Sequence, residues 1–337
     1  MEVSSFCNAE CIYCPHTEYN NNWQNRLFPV ELLNNLIPAF GKTKLVYLQG
    51  WGEPFTHPHF MEFLCIAKKA GCMVGTTTNG TLLDSEKISE LIDECIDIIG
   101  FSLAGVDEKN DSIRKGTNIK KVLKCIDEIH RIKDSKSVDN PKIHIAYMLL
   151  RSGLDDLEKL PAFSENNGIS QTVISSLSLP VNPAMDKESL TVSEDEEYHE
   201  LITRFHRIKK DAERRGTEIY FNIVSPFAEE SFCSENIGQA LVIGSDGCVS
   251  PCVFGCIPVK GDNIYYFEGR KRKIEKILFG NIVEQPLNII WNKKEYKSFR
   301  GGMAGGGMGY MCKNCMKRFH LNLHSEAAET LKFLTEL

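Results

Sequence analysis

The sequence predicts an α/β protein: a partial or full barrel of strand–helix units, a small cysteine-rich domain after it, and a closing helix. Two observations carry this. Over the first 220 of its 337 residues, short β-like runs alternate with amphipathic segments of 3.6-residue period, a pattern that builds a parallel sheet with right-handed crossovers. Beyond that point periodicity weakens while cysteine and glycine density rises. The length agrees with about two domains at roughly 150 residues each.

Taken in order, the expected strands are Glu2–Ser5, Lys44–Gln49, Met73–Thr77, Ile96–Leu103, Lys142–Leu150, Gln171–Ser178 and a final run Ile219–Val224. Between them apolar residues recur at helical spacing: Leu32, Leu33, Leu36, Ile37 and Phe40; Phe60, Phe63, Leu64 and Ala67; Ile88, Leu91 and Ile92; Ile119, Val122, Leu123, Ile126 and Ile129; Leu157, Leu160 and Phe163. A longer helix is expected from about Ser193 to Arg215, acidic at its start and basic at its end, which complements the helix dipole. The domain boundary is placed in 225–232. The basic run Gly269–Lys276 reads as an exposed hairpin, and Ser325–Leu337 as a helix capped by Ser325. The expected domains are therefore 1–224, 225–320 and 321–337.

Composition narrows the function. Lys and Arg number 39 against 45 Asp and Glu, a formal charge of −6, where a nucleic-acid binder carries a basic excess. No apolar run approaches the ~18 residues that span a bilayer. The start has neither the basic nor the apolar part of a signal peptide, so a cytoplasmic protein without nucleic acid or membrane as partner is expected. In a reducing compartment, 13 cysteines point to metal binding or chemistry more than to disulfides. Cys65, Cys72, Cys95 and Cys125 are scattered and read as small buried hydrophobes. Cys7, Cys11 and Cys14 form one group, Cys233, Cys248, Cys252 and Cys256 a second, Cys312 and Cys315 a third.

Loops leaving the C-terminal ends of barrel strands build active sites. Here those ends carry the Cys7–Cys14 loop, Gly50-Trp51-Gly52-Glu53-Pro54, Thr78-Asn79-Gly80, Ser102 and Arg151. Together they describe one pocket lined by a metal site, a carboxylate, an amide, a hydroxyl and a guanidinium. Three thiolates on one loop can hold zinc with His16 as fourth ligand, or three irons of a [4Fe–4S] cube whose fourth iron stays open. Spacing leaves both readings standing. The neighbouring Glu53 and glycine backbone favour the cube, because they offer a seat for an amine-bearing ligand.

Cys7-x3-Cys11-x2-Cys14, with Tyr13 before the last cysteine, resembles the signature of radical S-adenosylmethionine (radical SAM) enzymes. Gly50-Trp51-Gly52-Glu53-Pro54 resembles the Gly-Gly-Glu-Pro motif of that family, with Trp51 in place of the first of the paired glycines. The resemblance covers about residues 1–220. It implies a partial (β/α)6 TIM-like barrel and S-adenosylmethionine chelating the open iron. It implies that Gly50, Trp51, Gly52 and Glu53 hold its amino group, and that Tyr13, on the cysteine loop, also contacts the cofactor. Asn79 and Ser102 would lie near the ribose and Arg151 near the carboxylate. The implied reaction is reductive cleavage to a 5′-deoxyadenosyl radical that takes hydrogen from substrate, with a ferredoxin- or flavodoxin-type reductant.

Cys233-x13-Gly247-x4-Cys252 with Cys312-x2-Cys315 resembles the auxiliary-cluster domain called SPASM or, in shorter form, twitch. Asp246-Gly247 would make the hairpin turn. No cysteine follows Cys315, and the resemblance then implies one auxiliary [4Fe–4S] cluster held by Cys233, Cys252, Cys312 and Cys315; Cys248 and Cys256 are either alternative ligands or packed thiols, the second reading being favoured. In relatives that oxidise a Ser or Cys side chain, an acid follows the counterpart of Cys252 and serves as base. Here Val253 stands there, which argues against that activity or places the base elsewhere. A substrate that is a small molecule, or a peptide presented by another protein, is expected. Because Cys7 stands almost at the start of the sequence, a leader-binding domain before it is not expected. An enzyme that installs a glycyl radical on a partner, and a non-catalytic zinc protein, are the competing expectations.

Overall fold

The computed structural model describes residues 1–190, 195–224, 233, 235–304, 312, 314–318 and 320–321. Six parallel strands form a curled half-barrel in sequence order: β1 Leu45–Tyr47, β2 Met73–Thr78, β3 Ile98–Leu103, β4 Lys142–Leu149, β5 Gln171–Ser176 and β6 Glu218–Val224. A two-residue strand, His320–Leu321, adds antiparallel to β6. Each parallel step crosses through one or more helices, which cover the outer face with Phe63, Leu64, Leu91, Ile126 and Phe205 among the buried residues. The register sets Ser102 beside Ala146 and Met148 beside Ser175. Side chains alternate along a strand, so one set lines the interior while Ile99, Phe101, Ile145 and Ile174 pack outward in the main core.

Three expectations are corrected. Glu2–Ser5 is not a strand of the sheet. It runs extended along the edge, with the Gln49 N–H donating to the Met1 carbonyl at 3.0 Å and a single bridge joining Ser4 to Leu27. Its polar residues are committed elsewhere, as Glu2 and Ser5 bind neighbouring segments through their side chains. The segment 32–40 is not one helix but a 3₁₀ turn, Val30–Asn35, and a short helix, Ile37–Phe40. Pro38 cannot donate the hydrogen bond that would carry one helix through. Likewise 157–163 divides into a 3₁₀ stretch, Arg151–Lys159, and a helix, Leu160–Asn166. The long helix is observed over Asp195–Arg214. The domain boundary at 225–232 and the closing helix at 325–337 fall outside the described residues.

The hairpins of the second region form as expected. Val242–Ile243 pairs with Cys248–Ser250 around a turn in which Gly247 has φ +79°, a left-handed conformation that suits glycine. Asn263–Phe267 pairs with Arg270–Ile274 across Glu268-Gly269. No helix among the described residues is long and apolar enough to cross a membrane.

Candidate active site

The cysteine loop is held by a short ladder. Glu10–Cys11 pairs antiparallel with Arg114–Lys115, so Cys11 lies opposite Arg114. The Glu53 N–H donates to the Phe6 carbonyl at 2.7 Å, which fastens the glycine-rich loop to the cysteine loop. A side chain cannot fit at either glycine of that loop. A Cβ on Gly52 would lie 2.3 Å from the Phe6 carbonyl oxygen, and one on Gly50 would lie 2.3 Å from the Glu2 side chain. Gly52 lets two backbones approach, and Gly50 leaves room for the Glu2 side chain.

Glu53 is buried and fully engaged. It accepts from the Thr78 hydroxyl at 2.6 Å, the Asn79 N–H at 2.7 Å and the Phe55 N–H at 3.2 Å. Burial raises its pKa, while those donors stabilise the charged form. The Asn79 side chain reaches back to the cysteine loop, donating to Asn8 at 2.9 Å. Thus β1, β2 and the cysteine loop form one hydrogen-bonded rim.

That rim opens on a cavity of about 340 Å³, within the size range of small-molecule and cofactor pockets. Cys7, Cys11, Tyr13, Cys14, Gly50, Trp51, Gly52, Glu53, Asn79 and Ser102 all line it, as the sequence anticipated. Arg151 does not. It lies at the head of the 3₁₀ stretch after β4 and pairs with Glu197 at 3.2 Å, 38 % exposed. The chain turns outward after Leu150, taking its guanidinium to the surface.

Arg114 is the guanidinium that does line the cavity. It is buried, donates to the Tyr13 hydroxyl, and stands with its carbon 5.9 Å from the Tyr13 ring. Among the described residues its buried Nε has no hydrogen-bond partner. Burial works against its charge, but Tyr13, Cys11 and Cys14 outweigh that and hold its pKa above the ordinary value. The sequence reading missed it because it took residues at the strand ends. Arg114 comes one loop and one helix turn beyond β3, and the signal was an arginine set between Ile113 and Gly116 in that rim loop.

Burial pushes the Cys7 thiol up to about 11 and Cys14 up to about 12. Such thiols ionise when a cation arrives. His16, the alternative fourth ligand, stands apart from the three thiols' cavity, and its ring meets Trp23 edge-on at 5.3 Å. Among the described residues no three His, Cys, Asp or Glu converge on a single metal ion. Cys7, Cys11 and Cys14 share one cavity with Arg114, whose charge suits an anionic group.

The thiols of the second cysteine set lie within electrostatic reach of one another. Cys315 is close enough to Cys233, Cys252 and Cys312 to help raise each thiol, although burial is the main cause, to about 11, 12 and 12. The Cys315 N–H donates to the Cys312 carbonyl at 2.9 Å. Cys248 instead accepts from the Asn281 amide, and Cys256 lies against the Cys252 and Val253 carbonyls. Trp51 spans the two sites. Its ring stacks on Phe254 at 5.9 Å, and its indole N–H donates to the Val253 carbonyl at 3.2 Å.

Comparison with known proteins agrees with this architecture. The radical SAM superfamily profile matches residues 1–160, and that of the SPASM iron–sulfur cluster-binding domain matches 233–316. A cofactor-modifying protein for tungsten-containing aldehyde ferredoxin oxidoreductase from Pyrococcus furiosus is 26% identical over 318 residues, 89% of this chain and 82% of that one. Native anSMEcpe with bound AdoMet and a Cp18Cys peptide superposes with a TM-score of 0.65 at 17% identity, over 97% of this chain and 90% of that one. Streptococcus suis SuiB bound to its precursor peptide SuiA gives 0.61 at 15% identity, over 94% and 69%. At those identities the two structures speak to the fold. Matching the radical SAM superfamily over residues 1–160 and the SPASM domain over 233–316, the chain is a radical SAM enzyme that carries a SPASM iron–sulfur domain.

Proposed function

We propose that Cys7, Cys11 and Cys14 hold the S-adenosylmethionine-binding [4Fe–4S] cluster. Cys233, Cys252, Cys312 and Cys315 hold one auxiliary [4Fe–4S] cluster. The enzyme oxidises, or forms a bond at, a C–H position of a peptide residue or small molecule. When bound, the cluster and S-adenosylmethionine supply a 5′-deoxyadenosyl radical that takes hydrogen from substrate. The protein's part is positional. Arg114 neutralises the cofactor carboxylate, a role that passes to it from Arg151. The Gly50–Glu53 backbone receives the amino group, and Ser102 and Asn79 face the ribose. Trp51 and Phe254 shut the cavity toward the second cysteine set and exclude water.

The carrying observation is the coincidence on one cavity of three thiols and a buried guanidinium whose Nε has no partner among the described residues. A maturation role on a cofactor or peptide is supported by the Pyrococcus furiosus relative, which modifies an oxidoreductase's cofactor, and by the peptide complexes of anSMEcpe and SuiB. Val253, which follows Cys252, has no acid–base chemistry, so an acid at that position does not serve as base here. A ferredoxin- or flavodoxin-type protein supplies the electrons.

The test is anaerobic reconstitution. Wild type should be brown, with about eight irons per chain for two four-iron clusters, and should release 5′-deoxyadenosine with dithionite. The Cys7/Cys11/Cys14→Ala triple variant should keep about half the iron and release none. Continued cleavage by that variant overturns the assignment.

A further inference from the structure

The hairpin Asn263–Phe267/Arg270–Ile274 has no part in the cavity just described, yet it is tied to both cysteine sites. On one side the Ile264 N–H donates to the Tyr19 hydroxyl at 2.9 Å, and Tyr19 donates back to the Ile264 carbonyl. Tyr19 ends the short helix that begins beside Cys14. On the other side Tyr265, buried, donates to the Asn314 carbonyl inside the Cys312–Cys315 turn. The Tyr266 N–H donates to the Pro180 carbonyl at 2.8 Å, which anchors the hairpin to the loop after β5. A body resting on this hairpin would therefore be one layer of chain from the second cysteine set.

The outer surface of the hairpin is basic. Residues 260–276 hold Lys260, Arg270, Lys271, Arg272, Lys273 and Lys276 against Asp262, Glu268 and Glu275, a local charge of +3 on a chain of net −6. Lys273 is neutralised by Asp262 at 2.9 Å, and Arg272 lies over the Phe267 ring at 5.1 Å. Arg270 and Lys271, at the tip, are exposed, and among the described residues neither is paired with a carboxylate within 4 Å, while the Asp186 carboxylate accepts from the adjacent Gly269 N–H at 2.6 Å. A chain that is acidic overall thus carries a local positive charge on the hairpin whose Tyr265 is bonded to the Cys312–Cys315 turn. A positive patch of this kind steers an oppositely charged partner into a defined orientation.

We propose that the 260–276 hairpin is the docking surface for an acidic one-electron carrier protein that exchanges electrons with the auxiliary site. The proposal rests on the reading of Cys233, Cys252, Cys312 and Cys315 as cluster ligands. In the reducing direction the carrier's low-potential centre loses one electron and the auxiliary cluster gains it. No proton or group moves.

The experiment uses the reconstituted holoenzyme and, as probe, a reduced bacterial two-cluster [4Fe–4S] ferredoxin of acidic surface. Complex formation is measured by calorimetry, and cluster reduction by stopped-flow absorbance. For Arg270→Glu/Lys271→Glu the association constant and the bimolecular rate should each fall about ten-fold at low salt, and the difference should vanish near 0.5 M salt, where charges are screened. Reduction by dithionite should match wild type, which shows the clusters intact. Unchanged ferredoxin affinity and rate in the variant overturn the proposal. So does equal affinity of wild type for a duplex DNA probe, which would make the patch a polyanion site. Absence of a second cluster in wild type overturns the underlying reading instead, and iron content reports that separately.

Discussion

At the scale of single residues the site is decided by which arginine reaches it. Arg114 is buried beside Cys11 and Tyr13, whereas Arg151 is paired with Glu197 at the surface. A buried guanidinium contributes far more to an anion than an exposed one, because water competes less. Arg114→Met, close in length and apolar, should therefore weaken S-adenosylmethionine binding to the reconstituted enzyme by about 10–100-fold, on the order of 1.4–3 kcal/mol for a charge-assisted hydrogen bond. Arg151→Ala should have a much smaller effect. Equilibrium dialysis of both variants decides it, and a larger loss for Arg151→Ala would return the carboxylate to that residue. Lys at position 114 is not a neutral control, since it lacks the planar fork that can face Tyr13 and a ligand together.

At the scale of elements, the strands were legible because the half-barrel is simple in pattern. β2 through β6 begin and end within about two residues of their apolar runs, as expected for strands buried on both faces. Glu2–Ser5 misled because an extended edge segment has the same apolar–polar rhythm as a strand. Only tertiary hydrogen bonds, such as Glu2 accepting from the Trp51 N–H at 2.9 Å, reveal its different place. The glycine-rich loop shows the reverse case. Its motif was legible, but the consequence of Trp51 was not, because Phe254 lies 203 positions away. Trp51 fixes the loop against the Val253–Cys256 turn by a stack, an indole hydrogen bond and an edge contact with Trp23 at 6.5 Å. Trp51→Gly, which supplies the glycine that the family motif carries, should lower stability by about 2–4 kcal/mol through lost aromatic burial. It should also raise amide exchange at Val253–Cys256 more than in β2–β5. Trp51→Phe should recover most of the protection. Uniform loss of protection across both regions would mean the tryptophan merely supports the global fold.

At the scale of the whole molecule, stability is linked to pH through groups the barrel buries. His144, on β4, is held down to about 4 by burial. Its folded pKa lies below the unfolded value near 6.5, so the unfolded chain binds the extra proton between those values. Stability is therefore intact above about pH 6.5 and lost progressively as pH falls toward 4. From pH 7 to 5 that loss is about 2 kcal/mol at 1.36 kcal/mol per pH unit. Carboxylates with depressed pKa, such as Asp156 and Glu158, keep their contributions through this window, because they lose them only below the ordinary carboxylate range. Glu2 and Glu53 run the opposite way. Burial raises both, so their protonation on acidification favours the folded state and partly offsets His144. The difference between wild type and His144→Gln separates these terms. Urea midpoints of the holoenzyme at pH 7 and 5 should show a steeper fall for wild type, with the gap between the two slopes near 2 kcal/mol. Parallel slopes would mean that His144 titrates alike in both states, and that solvent reaches β4 despite the helices packed over it.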